Sequence, residues 1–126
     1  MRLSCAGGFS GTGASGADED LFLFTGTVGS ATTTGSFALY FDGSDVALST
    51  SSSEDVDAAT LTAGGHLLFS TLGDFAVAGV SGENADVVEF AGTFGAATAG
   101  TFSLRQDLTA LGIDLTEDVG SMHIVE

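Results

Sequence analysis

At 126 residues the chain has the length of one ordinary domain, yet glycine, alanine, serine and threonine fill so much of it that the core it can build is thin. Seventeen Asp and Glu face only Arg2 and Arg105, with no lysine, giving a net charge of −15. Nucleic acid is excluded as a partner and an anionic membrane surface is disfavoured, because both are bound through clustered Lys and Arg.

No run approaches the roughly 20 apolar residues of a membrane span, so no membrane insertion is expected. With 44% hydrophobic residues and ten phenylalanines spread along its length, the chain has enough apolar surface to fold. Met1-Arg2 leads into Ser4, Cys5 and Gly7 rather than an apolar signal core, and the chain opens in the middle of a repeat, which predicts a removed leader or a trimmed terminus. Cys5 is the single cysteine and has no intrachain disulfide partner; it reads as a small residue beside a strand. Leu3-Ser4-Cys5-Ala6 faintly echoes a lipidation box but lacks the apolar segment that should precede it.

The chain repeats itself. Sliding it by 66 positions pairs residues 3–33 with 69–99 without a gap, and 13 of the 31 pairs are identical. Among them are Ser4/Ser70, Phe9/Phe75, Ser15-Gly16/Ser81-Gly82, Asp20/Asp86, Phe24/Phe90 and Gly26-Thr27/Gly92-Thr93. A one-residue deletion then aligns Gly35, Phe37, Leu39 and Asp42 with Gly100, Phe102, Leu104 and Asp107. Two more bring Glu54-Asp55-Val56 onto Glu117-Asp118-Val119.

Apolar residues alternate over short runs, as in Phe37, Leu39, Phe41, and no long helix-period pattern occurs, so strands are expected throughout. In the complete second unit the expected strands are 56–62, 67–71 with a continuation to 77, 87–91 and 101–106. Turns are expected at Asp42-Gly43, at Ala63-Gly64-Gly65 and at Ser81-Gly82-Glu83-Asn84. The ten phenylalanines are expected in the core.

The predicted fold is a single all-β domain of two four-stranded antiparallel repeats, like β-propeller blades. Residues 3–53 form a partial first repeat, 54–116 the second, and 117–126 a closing strand, with the strand itself at 119–125. The chain opens at a second strand and closes at a first strand, so head and tail are two parts of one repeat. Pairing them, within the chain or between copies, would leave no free edge. Two blades do not close a propeller ring, so head-to-tail association gives a ring or a filament.

The stretches Ser15-Gly16-Ala17-Asp18-Glu19-Asp20-Leu21-Phe22, Leu39-Tyr40-Phe41-Asp42-Gly43-Ser44-Asp45-Val46 and Glu54-Asp55-Val56-Asp57-Ala58 resemble tandem repeats of large secreted bacterial proteins. Those repeats carry an "LYFDGSDVGLS" strand and turn followed by an "EDVDA" strand start, in the same order and spacing. The resemblance covers nearly all of the chain. It implies propeller-type blades and an extracellular adhesive or structural role without assigned chemistry. The second copy departs from it, because Arg105-Gln106-Asp107-Leu108 stands where Tyr40-Phe41-Asp42-Gly43 stands in the first.

Acidic residues cluster in glycine-containing turns, where carboxylates and carbonyls can converge on the six to eight oxygens that calcium requires. By carboxylate density the candidate ligands are Asp18, Asp20, Asp42, Asp45, Asp55 and Asp57, and calcium is the candidate cofactor. None of the clusters matches the twelve-residue calcium loop, and the competing reading is that these side chains bond local backbone amides.

Other chemistry lacks a residue set. His66 and His123 are not equivalent in the repeat, which rules out a repeated histidine ligand, and zinc would want more His or Cys. There is no Gly-x-Ser-x-Gly elbow, and no carboxylate pair at a fixed separation for glycoside cleavage. Gly11-x-Gly13-x-x-Gly16 lacks the strand–helix unit of a dinucleotide site.

The expectation is a non-enzymatic extracellular or cell-surface protein that assembles with itself through terminal strand pairing, stabilised by calcium. The alternative is a glycan- or other ligand-binding propeller, which should keep its pocket aromatics in both copies. Tyr40 has no counterpart.

Overall fold

The structure, a computed structural model, describes residues 1–125. It is all-β, and the described residues contain no α-helix. The first unit runs through β1 (Arg2–Leu3), β2 (Phe9–Gly11), β3 (Ala14–Gly16), β4 (Leu21–Thr27) and β5 (Thr34–Phe41), then a 3₁₀ turn at Ser44–Val46. The second runs through β6 (Val56–Leu61), β7 (Leu67–Thr71), β8 (Phe75–Val77), β9 (Val80–Gly82), β10 (Val87–Thr93) and β11 (Ala99–Gln106), then a 3₁₀ turn at Thr109–Leu111. β2, β3 and β4 recur as β8, β9 and β10 at the 66-residue spacing read from the sequence, and β5 recurs as β11 at 65.

The strands form two main antiparallel sheets. One has the order β11-β10-β7-β6 and the other β1-β4-β5, while β2-β3 and β8-β9 are separate hairpins. Four strands in one sheet are thus reached only in the second unit. In the first, no described strand pairs with the other edge of β1. Residues 119–125, expected as a strand, take no strand conformation: they lie near β1 without entering its ladder.

Two further expectations are corrected. The strand at 67–71 does not continue to 77, since Leu72-Gly73-Asp74 bends away and β8 starts a new hairpin. Ser81-Gly82, read as a turn, is instead the end of β9. Gly82 stands there because a Cβ would come within 2.6 Å of Asp86 Oδ2 and 2.7 Å of the Phe75 ring.

The main core straddles both units. Leu21, Phe41 and Leu48 from the first pack with Val56, Phe69, Phe75, Val88 and Phe90 of the second. Phe41 meets Phe90 edge-on with ring centres 5.3 Å apart and lies 6.0 Å from Phe69. Burying each such side chain stabilises by about 1.5–3 kcal/mol, so the two units are held together by their own interior rather than by a surface contact. A smaller cluster, with Phe9 against Phe22 and Phe37 and Phe24 against Phe37, fills the first unit. Of the ten phenylalanines, Phe22, Phe24, Phe41, Phe69, Phe75 and Phe90 are buried, and Phe9, Phe37, Phe94 and Phe102 are half-buried.

Leu48 reaches this core because the 3₁₀ turn at Ser44–Val46 reverses the chain, ending at Ala47 with φ 70°. At the equivalent place in the second unit the sequence uses Gly112, φ 91°. A Cβ is unfavourable in the left-handed region, whereas glycine enters it freely. Ala47→Gly is expected to hold or raise stability by up to about 1 kcal/mol, read from the midpoint of urea unfolding.

Candidate functional site: an acidic junction between the units

Three turns bring carboxylates together where the first unit meets the second. Asp18, Glu19 and Asp20 follow the β2–β3 hairpin, Asp42 follows β5, and Asp55 precedes β6. Glu19 and Asp20 are each 5% exposed and Asp55 is 8% exposed. The groups sense one another: Asp18 and Asp42 raise the pKa of Asp20, and Asp18 raises that of Asp55, in both cases behind the larger effect of burial. Glu19 is pushed from 4.5 up to about 7, first by burial and further by Asp18 and Asp20.

Much of this charge is tied to backbone amides. Asp20 Oδ2 accepts the Ala17 N–H at 2.8 Å, and its Oδ1 accepts the Gly43 N–H at 2.9 Å. Asp86 repeats the first bond, accepting the Glu83 N–H at 3.0 Å, but Leu108 replaces Gly43 and the Asp86 Oδ1 is buried without a partner. Asp42 Oδ1 accepts Ser44 Oγ–H at 2.6 Å and the Asp45 N–H at 3.3 Å. Asp107 does the same for Thr109 and Ala110. The aspartates shared by the two units therefore hold turns.

Asp45 reaches across the junction. Its Oδ2 accepts the N–H of buried Thr98 at 3.0 Å, while the Thr98 hydroxyl accepts the Asp42 N–H at 3.0 Å and donates to Gly95 O at 2.7 Å. Asp57 lies elsewhere. Its Oδ1 accepts the Ser70 hydroxyl at 2.8 Å, and burial, followed by the carboxyl of Asp118, lifts its pKa from 3.8 to about 6.

Of the six candidate ligands, then, Asp18, Asp20, Asp42 and Asp55 share one neighbourhood, while Asp45 and Asp57 face other partners. Among the described residues, no three Asp, Glu, His or Cys side chains converge in a way that could hold a metal ion. One buried oxygen of Asp55 and one of Asp57 lack partners.

Two glutamates went unrecognised in the sequence. Glu19 stands where the second unit has Ala85, which is fully buried, so a carboxylate occupies a position the repeat otherwise gives to a methyl group. Glu54, 2% exposed, accepts four hydrogen bonds. Its Oε2 takes Thr50 N, Thr50 Oγ1 and Ser51 N at 2.8, 2.7 and 3.0 Å, and its Oε1 takes Ala76 N at 3.1 Å. It thereby ties the 49–53 loop to β8.

Elsewhere, exposed His66 pairs through Nδ1 with Glu89 Oε1 at 2.6 Å. Tyr40 is stacked on Phe94 with ring centres 4.8 Å apart, and the Arg2 guanidinium lies 4.7 Å from the Tyr40 ring centre. No helix is long and apolar enough to cross a membrane among the described residues. Compared with family models, curated proteins and solved structures, the chain matches none.

Proposed function

We propose that this chain is a non-enzymatic, extracellular structural repeat protein that associates with further copies of itself through terminal strand pairing, with divalent cations such as calcium relieving its acidic junction. The observation that carries the reading is the three-stranded sheet β1-β4-β5 beside its four-stranded repeat β11-β10-β7-β6. An unpaired edge of this kind presents a row of free backbone donors and acceptors, and a matching strand is what satisfies them. The buried carboxylates add a second pressure: with two arginines in the whole chain, only protons or external cations can neutralise them. The alternative of a ligand-binding propeller is less favoured, because both the stacked Phe94 and Arg2 already occupy Tyr40.

Light scattering with electron microscopy, in calcium and again in chelator, tests this. The expected result is a concentration-dependent ring or filament that loosens when calcium is removed. A monomer in both conditions would overturn the assembly reading, and an assembly indifferent to chelator would overturn the role of calcium.

A further inference from the structure

The second sheet shows where its fourth strand comes from. β6 lies immediately after the first unit's 3₁₀ turn, and it pairs with β7 in the register Val56 to Thr71, Ala58 to Ser70, Ala59 to Phe69, Thr60 to Leu68 and Leu61 to Leu67. Val46 and Leu48, from that turn and the residues after it, sink with it into the second unit's core, Leu48 being 1% exposed. The first unit thus hands a strand and two apolar side chains forward to the second, Leu48 inside the core and Val46 packed against it.

The second unit carries the same parts, and among the described residues they join no sheet. Leu111 and Ile113, the equivalents of Val46 and Leu48, are 70% and 38% exposed. Glu117-Asp118-Val119 repeats the Glu54-Asp55-Val56 that opens β6, but residues 119–125 lie outside any sheet. Within its own chain the segment comes near β1 without pairing to it. Gly120, Ser121 and Met122 line an open cavity of about 300 Å³ with Arg2, Leu3 and Ser4, and the Val119 carbonyl lies 2.8 Å from Ser70 Oγ, competing with Asp57 for its one proton.

We infer that the free edge of β1 is a docking site for residues 119–124 of a second copy, which enter antiparallel as the missing fourth strand while Leu111 and Ile113 of that copy are covered by the first unit of its neighbour. Transferring the β6–β7 register through the repeat places Val119 opposite Cys5, Ser121 opposite Ser4, Met122 opposite Leu3, His123 opposite Arg2 and Ile124 opposite Met1. Gly120 takes the place of Asp57, the residue skipped at the bulge between Val56 and Ala58. The partner is a second copy because this chain carries both halves of the contact, a segment that repeats the opening of β6 and an edge that repeats that of β7. The contact is heterologous, so it propagates. This inference rests on the assembly reading and specifies its interface.

Cys5 provides the test. Residues directly opposed in an antiparallel pair have Cα atoms about 4.5–5.5 Å apart, within the span a disulfide bridges. Val119→Cys, mildly oxidised and run on a non-reducing gel, is expected to give a ladder of multimers. The wild type, with one thiol, stops at dimers, and Gly120→Cys gives no ladder. A pair built one rung further along, Leu3→Cys with Met122→Cys in a Cys5→Ser background, should ladder as well, which guards against misfolding of a single variant. A cross-linked monomer would show that the chain closes on itself and would overturn the second copy as occupant. Absence of any ladder from both variants overturns the register. Light scattering of the unoxidised protein separates the failures: multimers without cross-links refute this interface alone, and monomers without cross-links refute the assembly reading as well.

Discussion

Glu54→Ala is expected to cost about 3–5 kcal/mol, the largest single loss from any carboxylate in the molecule. The side chain is almost wholly buried, and its two oxygens together accept four hydrogen bonds, three from Thr50 and Ser51 and one from Ala76. Truncation removes the one charged acceptor that gathers donors from Thr50, Ser51 and Ala76, and a hydrogen bond to a charged group is worth about 1.5–3 kcal/mol. Small domains have about 5–15 kcal/mol of stability in total, so this one change should bring the chain close to unfolding at room temperature. Glu54→Gln keeps the shape but turns one oxygen into an NH2 that faces backbone N–H donors, with only the Thr50 hydroxyl able to accept from it, so it should fall between wild type and Glu54→Ala. The repeat supplies a control. Glu117 is the equivalent residue and is exposed, so Glu117→Ala should change stability by no more than about 0.5 kcal/mol. Urea unfolding midpoints measure all three, and equal effects at 54 and 117 would refute the argument.

Stability should also rise as the solution is acidified from pH 8 to pH 5. Glu19 is raised from 4.5 to about 7 and Asp57 from 3.8 to about 6, with Asp20 and Asp55 raised as well. Between the unfolded and folded values the folded chain binds more protons than the unfolded one, so the slope of unfolding free energy with pH is negative there. The contribution is fully present below about pH 4 and lost as pH climbs through about 7. For Glu19 the interval runs from 4.5 to about 7, which after solvent screening leaves on the order of 1–2 kcal/mol. A thermal scan should therefore show Tm higher at pH 5 than at pH 8 by about 5 °C or more. Asp107 and Asp114, whose pKa values are lowered by hydrogen bonds from Ala110 and Thr116, act in the opposite sense only at more acidic pH. Glu19→Gln should flatten the profile and raise Tm at pH 8, and an unchanged slope in that variant would show that Glu19 is not the source. Calcium should mimic acid at pH 8 if the junction takes up cations.

The repeat was legible because glycine, phenylalanine and aspartate fall at a fixed spacing, and that spacing survives in the structure as matched strands. The β8–β9 hairpin was not legible, since Ser81-Gly82 carries turn chemistry. What fixes it in a strand is the close approach of Asp86 and the Phe75 ring, a contact no local pattern announces. The candidate ligands were chosen for charge density, and density located the junction. It did not distinguish Asp20, whose oxygens are taken by Ala17 and Gly43, from Asp55, which keeps one oxygen free of partners. The alignment of the two copies carries a further signal: Glu19 stands against Ala85, and a carboxylate set against a methyl group between two copies of one unit marks a site that packing alone does not require.

The way β6 and Leu48 leave the first unit to complete the second also governs how such a molecule comes apart. Sequence repeat and folded layer are out of step by one strand, so cutting between two sequence repeats removes part of the next one's interior. The two units are therefore expected to melt in a single transition, because the interior of each is incomplete without side chains from the other.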